Sequence, residues 1–185
     1  MSDIFYLRPV TGPSGPVVPA DVFAMANEAD GCFSLHRVDW AKSYLAAAGD
    51  RMLCWYTAPD AESARMALRQ LGSDMNAVWA GRVLSAISDT GLSSSSDTDP
   101  NVLIEQSFPE ARTPEQVQDL QSEWQPHLQA QGAALVAGFL SNDGKHLVSV
   151  CQAADSAVVD RAMAAAGARP DAVWECEVVN PDDAG

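Results

Sequence analysis

The sequence predicts an α+β protein built from two copies of one βαββαβ unit, residues 1–90 and 101–185, joined by a linker over 91–100. Three observations point there. Ala77-Val78-Trp79 returns as Ala172-Val173-Trp174, 95 residues later, and the same spacing pairs Asp60 with Asp155 and Gly72 with Gly167 without a gap. Upstream it pairs Gly49 with Gly144, Leu45 with Leu140 and Pro19 with Pro114. Self-similarity at a fixed spacing marks a repeated structural unit.

Each pair has a structural task. Asp60 and Asp155 precede apolar residues at helical spacing, where an N-cap carboxylate accepts free backbone N–H groups. Gly72 and Gly167 follow those helices, where a glycine can take the left-handed conformation. Gly49 and Gly144 stand between two apolar runs and read as hairpin turns. Thr113-Pro114-Glu115-Gln116 is a capping box with Pro at the first helical position. Val117, Leu120, Trp124 and Leu128 then follow at helical spacing.

The first copy reads as strand 4–9, helix 20–34, strands 38–46 and 52–57, helix 61–71 and strand 78–84. The second reads as strand 101–107, helix 114–130, strands 133–140 and 146–152, helix 156–166 and strand 173–179. This order is the ferredoxin-like split βαβ unit, a four-stranded antiparallel sheet with two helices on one face. The second face also needs cover, which another copy can supply sheet against sheet. Gly91 to Pro100, rich in Ser, Gly and Asp, reads as the flexible linker. Trp79 and Trp174, at one place in both copies, are expected to be buried.

The formal net charge is −14, from 25 acidic against 11 basic residues, which argues against a nucleic-acid partner or an anionic membrane surface. The N-terminus lacks a basic start followed by an apolar run, so no signal peptide is read, and no stretch reaches the length of a membrane span. Cys32, Cys54, Cys151 and Cys176 show no metal-type spacing and read as free thiols of a cytoplasmic protein.

Arg51-Met52-Leu53-Cys54-Trp55-Tyr56-Thr57-Ala58-Pro59-Asp60-Ala61-Glu62-Ser63-Ala64-Arg65 resembles the bacterial family of small domains called DUF4242, whose function is unknown. The segment from Trp40 to Gly49 and Ala77-Val78-Trp79 fit the same family. The resemblance implies the dimeric α/β-barrel form of the ferredoxin-like fold, so the duplication would place a pseudo-dimeric α/β barrel in one chain. Some relatives are described as nickel-binding, with histidines on the first helix in an Ala-His-x-Ala-Asp pattern and on the second helix before its closing Gly. This chain departs there. Asn27 stands in Ala26-Asn27-Glu28-Ala29-Asp30, Ser122 in the second copy, and Ala67, Leu71, Ala162 and Ala166 on the second helices. None of these replacements offers the imidazole that suits nickel. No metal site and no cofactor are expected.

Successive strand residues face opposite sides. Leu53 and Trp55 oppose Cys54 and Tyr56, while Val148 and Val150 oppose Ser149 and Cys151. If the helix-covered face is the more apolar, Cys54, Tyr56, Ser149 and Cys151 point between the sheets. Arg8 and Glu105 are strand-borne charges that would stand at the polar end of that space, or sit at exposed strand ends. His127, three residues after Trp124, is a further candidate, or a hydrogen-bonded imidazole at the core's rim. The histidines show no dyad spacing, and no Gly-rich phosphate loop is present.

These residues support a small-molecule-binding protein with a pocket between two sheets, taking a small apolar molecule. One alternative is a cofactor-independent enzyme of isomerase, cyclase/dehydratase or oxygenase type on an apolar or aromatic substrate, using Tyr56, His127, Glu105 and Arg8. Others are a nickel-binding protein with a degenerate site and an interaction protein without a ligand. The chain is expected to act as a monomeric pseudo-dimer or as a homodimer.

Overall fold

The computed structural model describes residues 1–12, 14–73, 77–85 and 101–183, the side chain of residue 85 excepted. The linker assigned to Gly91–Pro100 lies outside these residues. Backbone proximity divides the chain into a first unit, Met1–Gly81 with Glu177–Gly185, and a second, Arg82–Cys176.

Twelve elements follow in order: β1 (Ser2–Pro9), α1 (Pro19–His36), β2 (Asp39–Ala46), β3 (Arg51–Ala58), α2 (Ala61–Gln70) and β4 (Val78–Ser85), then β5 (Asn101–Ser107), α3 (Pro114–Ala130), β6 (Ala134–Ser141), β7 (His146–Gln152), α4 (Ser156–Ala165) and β8 (Ala172–Val179). The fold is thus α+β with eight strands and four α-helices among the described residues, followed by a short 3-10 helix at Pro181–Asp183. In the first unit β1 lies between β3 and β4, and β2 flanks β3, all antiparallel. In the second, β5 lies between β7 and β8, and β6 flanks β7, again antiparallel.

Local chemistry sets the element ends. Asp60 accepts from Ser63 N–H and Asp155 from Val158 N–H, each at 2.8 Å, so both helices begin on a carboxylate cap. Thr113 and Gln116 bond each other's backbone N–H at the head of α3. The head of α1 uses Asp21, which accepts the Val18 N–H at 3.0 Å. Arg37, in the left-handed region at φ 57°, ends α1. Gly49 turns the β2–β3 hairpin at φ 65° beneath the Val17 backbone, and Gly144 turns β6–β7 at φ 69° beneath Arg112.

Each sheet packs one face on its own helices. In the first unit Ile4, Tyr6, Met52, Cys54 and Tyr56 join Val22, Ala29 and Phe33 of α1 and Ala64, Ala67 and Leu68 of α2. In the second, Val102, Ile104, Leu147 and Cys151 join Val117, Trp124 and Leu128 of α3 and Val159, Ala162 and Met163 of α4. Each large apolar side chain so buried contributes on the order of 1.5–3 kcal/mol.

Two expectations from the sequence are corrected. Cys54, Tyr56, Ser149 and Cys151 face the helices, not the opposite side: the Tyr56 ring meets Phe33 of α1 edge-on at 5.2 Å, and Ser149 accepts a hydrogen bond from Gln121 of α3. The reason is that the other face is apolar as well. Phe5, Leu53, Leu103 and Val150 on it are fully or almost fully buried, so apolarity does not tell the faces apart. Trp174 is buried, but Trp79, at the matching register position opposite Phe5, is half-buried and stacks on that ring at 4.5 Å.

Candidate functional site

A cavity of about 160 Å³ lies in the first unit between the sheet and helices α1 and α2. Its inner lining is Tyr6 from β1, Ser43 from β2, and Cys54 and Tyr56 from β3, all buried. Val22, Ala29 and Phe33 of α1 and Leu68 of α2 form its walls. Glu28, Leu71 and Ser73 stand at the more exposed rim.

A bulge in β2 builds the inner end. Trp40 lies opposite Tyr56 and Ser43 opposite Cys54, because the register shifts between Trp40 and Lys42. Strict alternation would put residues 40 and 43 on opposite faces. The extra residue puts both on the helix side. The Trp40 indole Nε1 then donates to Ser43 Oγ at 3.0 Å, and Ser43 donates to Cys54 Sγ at 3.1 Å. The Tyr56 hydroxyl bonds the same sulfur, which ends a chain of four polar side chains.

Both titratable members of that chain are held neutral. Burial pushes the Cys54 thiol up, against smaller lowering effects of the Ser43 and Tyr56 hydrogen bonds and the Arg8 charge. Burial also lifts the Tyr56 phenol well above its ordinary value, and the adjacent Cys54 adds to the rise. Near neutral pH the inner end therefore offers hydroxyl and thiol groups, with neither a thiolate nucleophile nor a phenolate base.

Among the described residues, Arg8 is the one cationic side chain lining the cavity. It lies opposite Met52 in the β1–β3 register and so on the helix side. Its Nη2 reaches Met25 Sδ at 3.5 Å, and its guanidinium carbon stands 4.9 Å from the centre of the Tyr6 ring. Its Nε is buried and makes no hydrogen bond.

Of the seven residues singled out in the sequence, the structure brings Arg8, Cys54 and Tyr56 together. The other four belong to the second unit. Ser149 is fully buried and bonded by Gln121. Cys151 is fully buried in the apolar core, which pushes its thiol up to about 12. Glu105 lies opposite Val148 on the face away from the helices and accepts the Trp174 indole N–H. The expectation that Arg8 and Glu105 share one polar end is therefore corrected. His127 is half-buried on α3. Sequence reasoning missed Ser43, Tyr6 and Met25 as cavity residues. The placement of Trp40 beside Ser43 is likewise not legible along the chain, because the bulge leaves no mark in a period-two pattern.

The second unit differs at the matching places. Pro19 and Pro114 both open their helices, so Ala26 and Ala29 of α1 correspond to Gln121 and Trp124 of α3. Trp124 and Gln121 are buried there. Gly138 lies opposite Ser149 as Ser43 lies opposite Cys54, and a Cβ on Gly138 would come within 2.8 Å of Gln121 Nε2. Glycine on β6 and two large side chains on α3 thus occupy the region where the first unit has small helix residues.

The nickel positions implied by the family resemblance do not fit a metal. Asn27 is exposed, Ala67 is fully buried among apolar neighbours, and Leu71 carries no donor. Among the described residues, no three His, Cys, Asp or Glu side chains are grouped to hold an ion. None of the described helices is long and apolar enough to cross a membrane.

No family model matches the chain, and no curated protein matches it. Among solved structures it is similar to a candidate chlorite dismutase, at 11% identity and TM-score 0.45 over 98% of this chain and 96% of that one. It is also similar to an anthrone oxidase-like protein, at 10% identity and TM-score 0.46 over 96% and 92%. A third is a candidate monooxygenase from Lactobacillus acidophilus NCFM, at 9% identity and TM-score 0.43 over 97% and 95%.

Proposed function

We propose that this protein binds a small organic molecule in the cavity of its first unit, and that the chain arose by duplication of one βαββαβ unit whose second copy has lost the site. One observation carries the reading: α1 presents Ala26 and Ala29 to the cavity where α3 carries buried Gln121 and Trp124. Interiors pack to near-crystalline density, and an unfilled core cavity costs stability in proportion to its volume. A copy that keeps alanines beside a chain of polar groups retains a cost that its twin has removed, and a ligand offsets that cost.

A binding role suits the chemistry better than a catalytic one. Acid–base catalysis needs an acid and a base at one place. Tyr56 and Arg8 share the cavity, but Tyr56 is neutral and Arg8 is permanently protonated. Among the described residues neither His127 nor Glu105 lines the cavity. The test is a ligand-observed NMR screen of small aromatic and aliphatic fragments on the intact chain. Binders displaced or abolished by Ala29→Trp support the reading. A silent screen, or binders indifferent to Ala29→Trp, overturns it.

A further inference from the structure

We propose that the cavity selects a molecule with one carboxylate on a small planar apolar body, and that Arg8 is the residue that pairs with the carboxylate. This rests on the small-molecule reading above and names the ligand class.

The argument begins with the hydrogen bonds Arg8 lacks. A guanidinium has five N–H donors in a planar fork. Here Nη2 reaches a thioether, a weak acceptor, and the plane lies near an aromatic ring. Nε, buried, has no acceptor at all. No carboxylate of the described residues pairs with it. Glu28 lines the same cavity, but at its exposed rim. Arg8 as a whole is half-buried, but its Nε is a buried donor without an acceptor, which is costly, and a carboxylate is the partner whose two oxygens match the fork.

Size and charge narrow the class. The cavity of about 160 Å³ is smaller than the usual range for drug-sized ligands, so the ligand is small. Among the described residues Arg8 is the sole cation lining it, and with Glu28 at the exposed rim the lining balances at most one negative charge and leaves a phosphate dianion uncompensated. The walls are aromatic and thioether groups: Phe33 and Tyr56 meet edge to face at 73°, with Trp40 and Met25 beside them. Such walls favour a flat apolar body. The net charge of −14 does not forbid an anion, because charges beyond about 8 Å are screened at physiological salt while Arg8 is in contact.

The matching position of the second unit carries a neutral side chain. Gln106 stands opposite Leu147 in β5 as Arg8 stands opposite Met52 in β1. Arg8→Gln therefore copies into the first unit what the second already carries.

The experiment measures benzoate and its neutral analogue benzamide on the intact protein by calorimetry and ligand-observed NMR, in wild type, Arg8→Gln, Arg8→Lys and Ala29→Trp. Benzoate is expected to bind wild type at least about tenfold more tightly than benzamide. Arg8→Gln should abolish that preference, and Arg8→Lys, which keeps charge but loses the fork, should retain part of it. If benzamide binds as well as benzoate, the carboxylate assignment is wrong whether or not the variants fold. If both bind equally and Ala29→Trp removes both, the pocket stands and only the class falls. If neither binds wild type, the class falls, and a silent fragment screen then removes the pocket reading too.

Discussion

The Nε2 of Gln121 donates to the Oγ of Ser149 at 3.1 Å, in the buried core of the second unit. The matching pair in the first unit is Ala26 and Cys54, and there the helix side chain is too short to cross. Cys54 instead takes its hydrogen bonds from its own sheet, from Ser43 and Tyr56. One pair of positions thus separates a closed core from an open one, and the consequences can be measured.

Ala29→Trp is expected to fill the first cavity as Trp124 fills its own place. Ligand binding should vanish while the denaturation midpoint holds within about 1 kcal/mol of wild type, since added packing offsets strain. Chemical denaturation followed by circular dichroism checks this. A loss of several kcal/mol would mean that the site cannot accept the ring.

Tyr56→Phe removes one hydroxyl bonded to a weakly accepting sulfur. Stability should change by less than about 1 kcal/mol. Affinity for a cavity ligand should fall severalfold, and calorimetry on the same samples separates the two effects.

Gly49 and Gly72 both sit in the left-handed region, at φ 65° and 74°, with different surroundings. An Ala Cβ at Gly49 would meet the Val17 carbonyl oxygen at 2.5 Å, whereas at Gly72 it meets nothing within 4 Å. Gly72→Ala should cost about 1 kcal/mol, the strain of the conformation alone. Gly49→Ala should cost more than about 2 kcal/mol, because backbone must shift as well.

The cysteines should separate by reactivity. Cys32 is half-exposed on α1, while Cys54, Cys151 and Cys176 are buried. Iodoacetamide at neutral pH should label Cys32 alone in the native protein and all four in denaturant, as read by intact mass. The Cys151 thiol, raised from 9.0 to about 12, keeps its proton in the folded state after the unfolded chain has lost its own. Its contribution to stability is therefore full below pH 9 and is lost progressively as pH rises towards 12.

At the acid end the sign reverses for Asp60. Hydrogen bonds from the backbone and side chain of Ser63 hold its carboxyl below 3.8. Its stabilisation is present above that value and fades as pH falls through the folded value, and Asp60→Ala should remove this part of the acid limb of the stability profile.

By itself the sequence determined what short-range chemistry determines: the order of the elements, the carboxylate caps at Asp60 and Asp155, the hairpin glycines, and the alternation that groups Met52, Cys54 and Tyr56 against Leu53 and Trp55. Caps, turns and alternation depend on atoms a few residues apart, so they can be read along the chain. Which alternating set faces the helices is a different matter. Leu53 and Cys54 are both almost fully buried, so both faces demand apolar or small side chains, and the pattern is symmetric under exchange of faces. Only the tertiary structure decided that question. It also decided that the bulge after Trp40 brings Trp40 and Ser43 to one side, and that Arg8, Cys54 and Tyr56 meet while Glu105, His127, Ser149 and Cys151 lie elsewhere. Ala29 and Trp124 stand in the sequence as an ordinary helix difference. They become an open cavity and a filled core only once the sheet is known to lie across from them, because a cavity depends on the side chains from separate elements that together bound it.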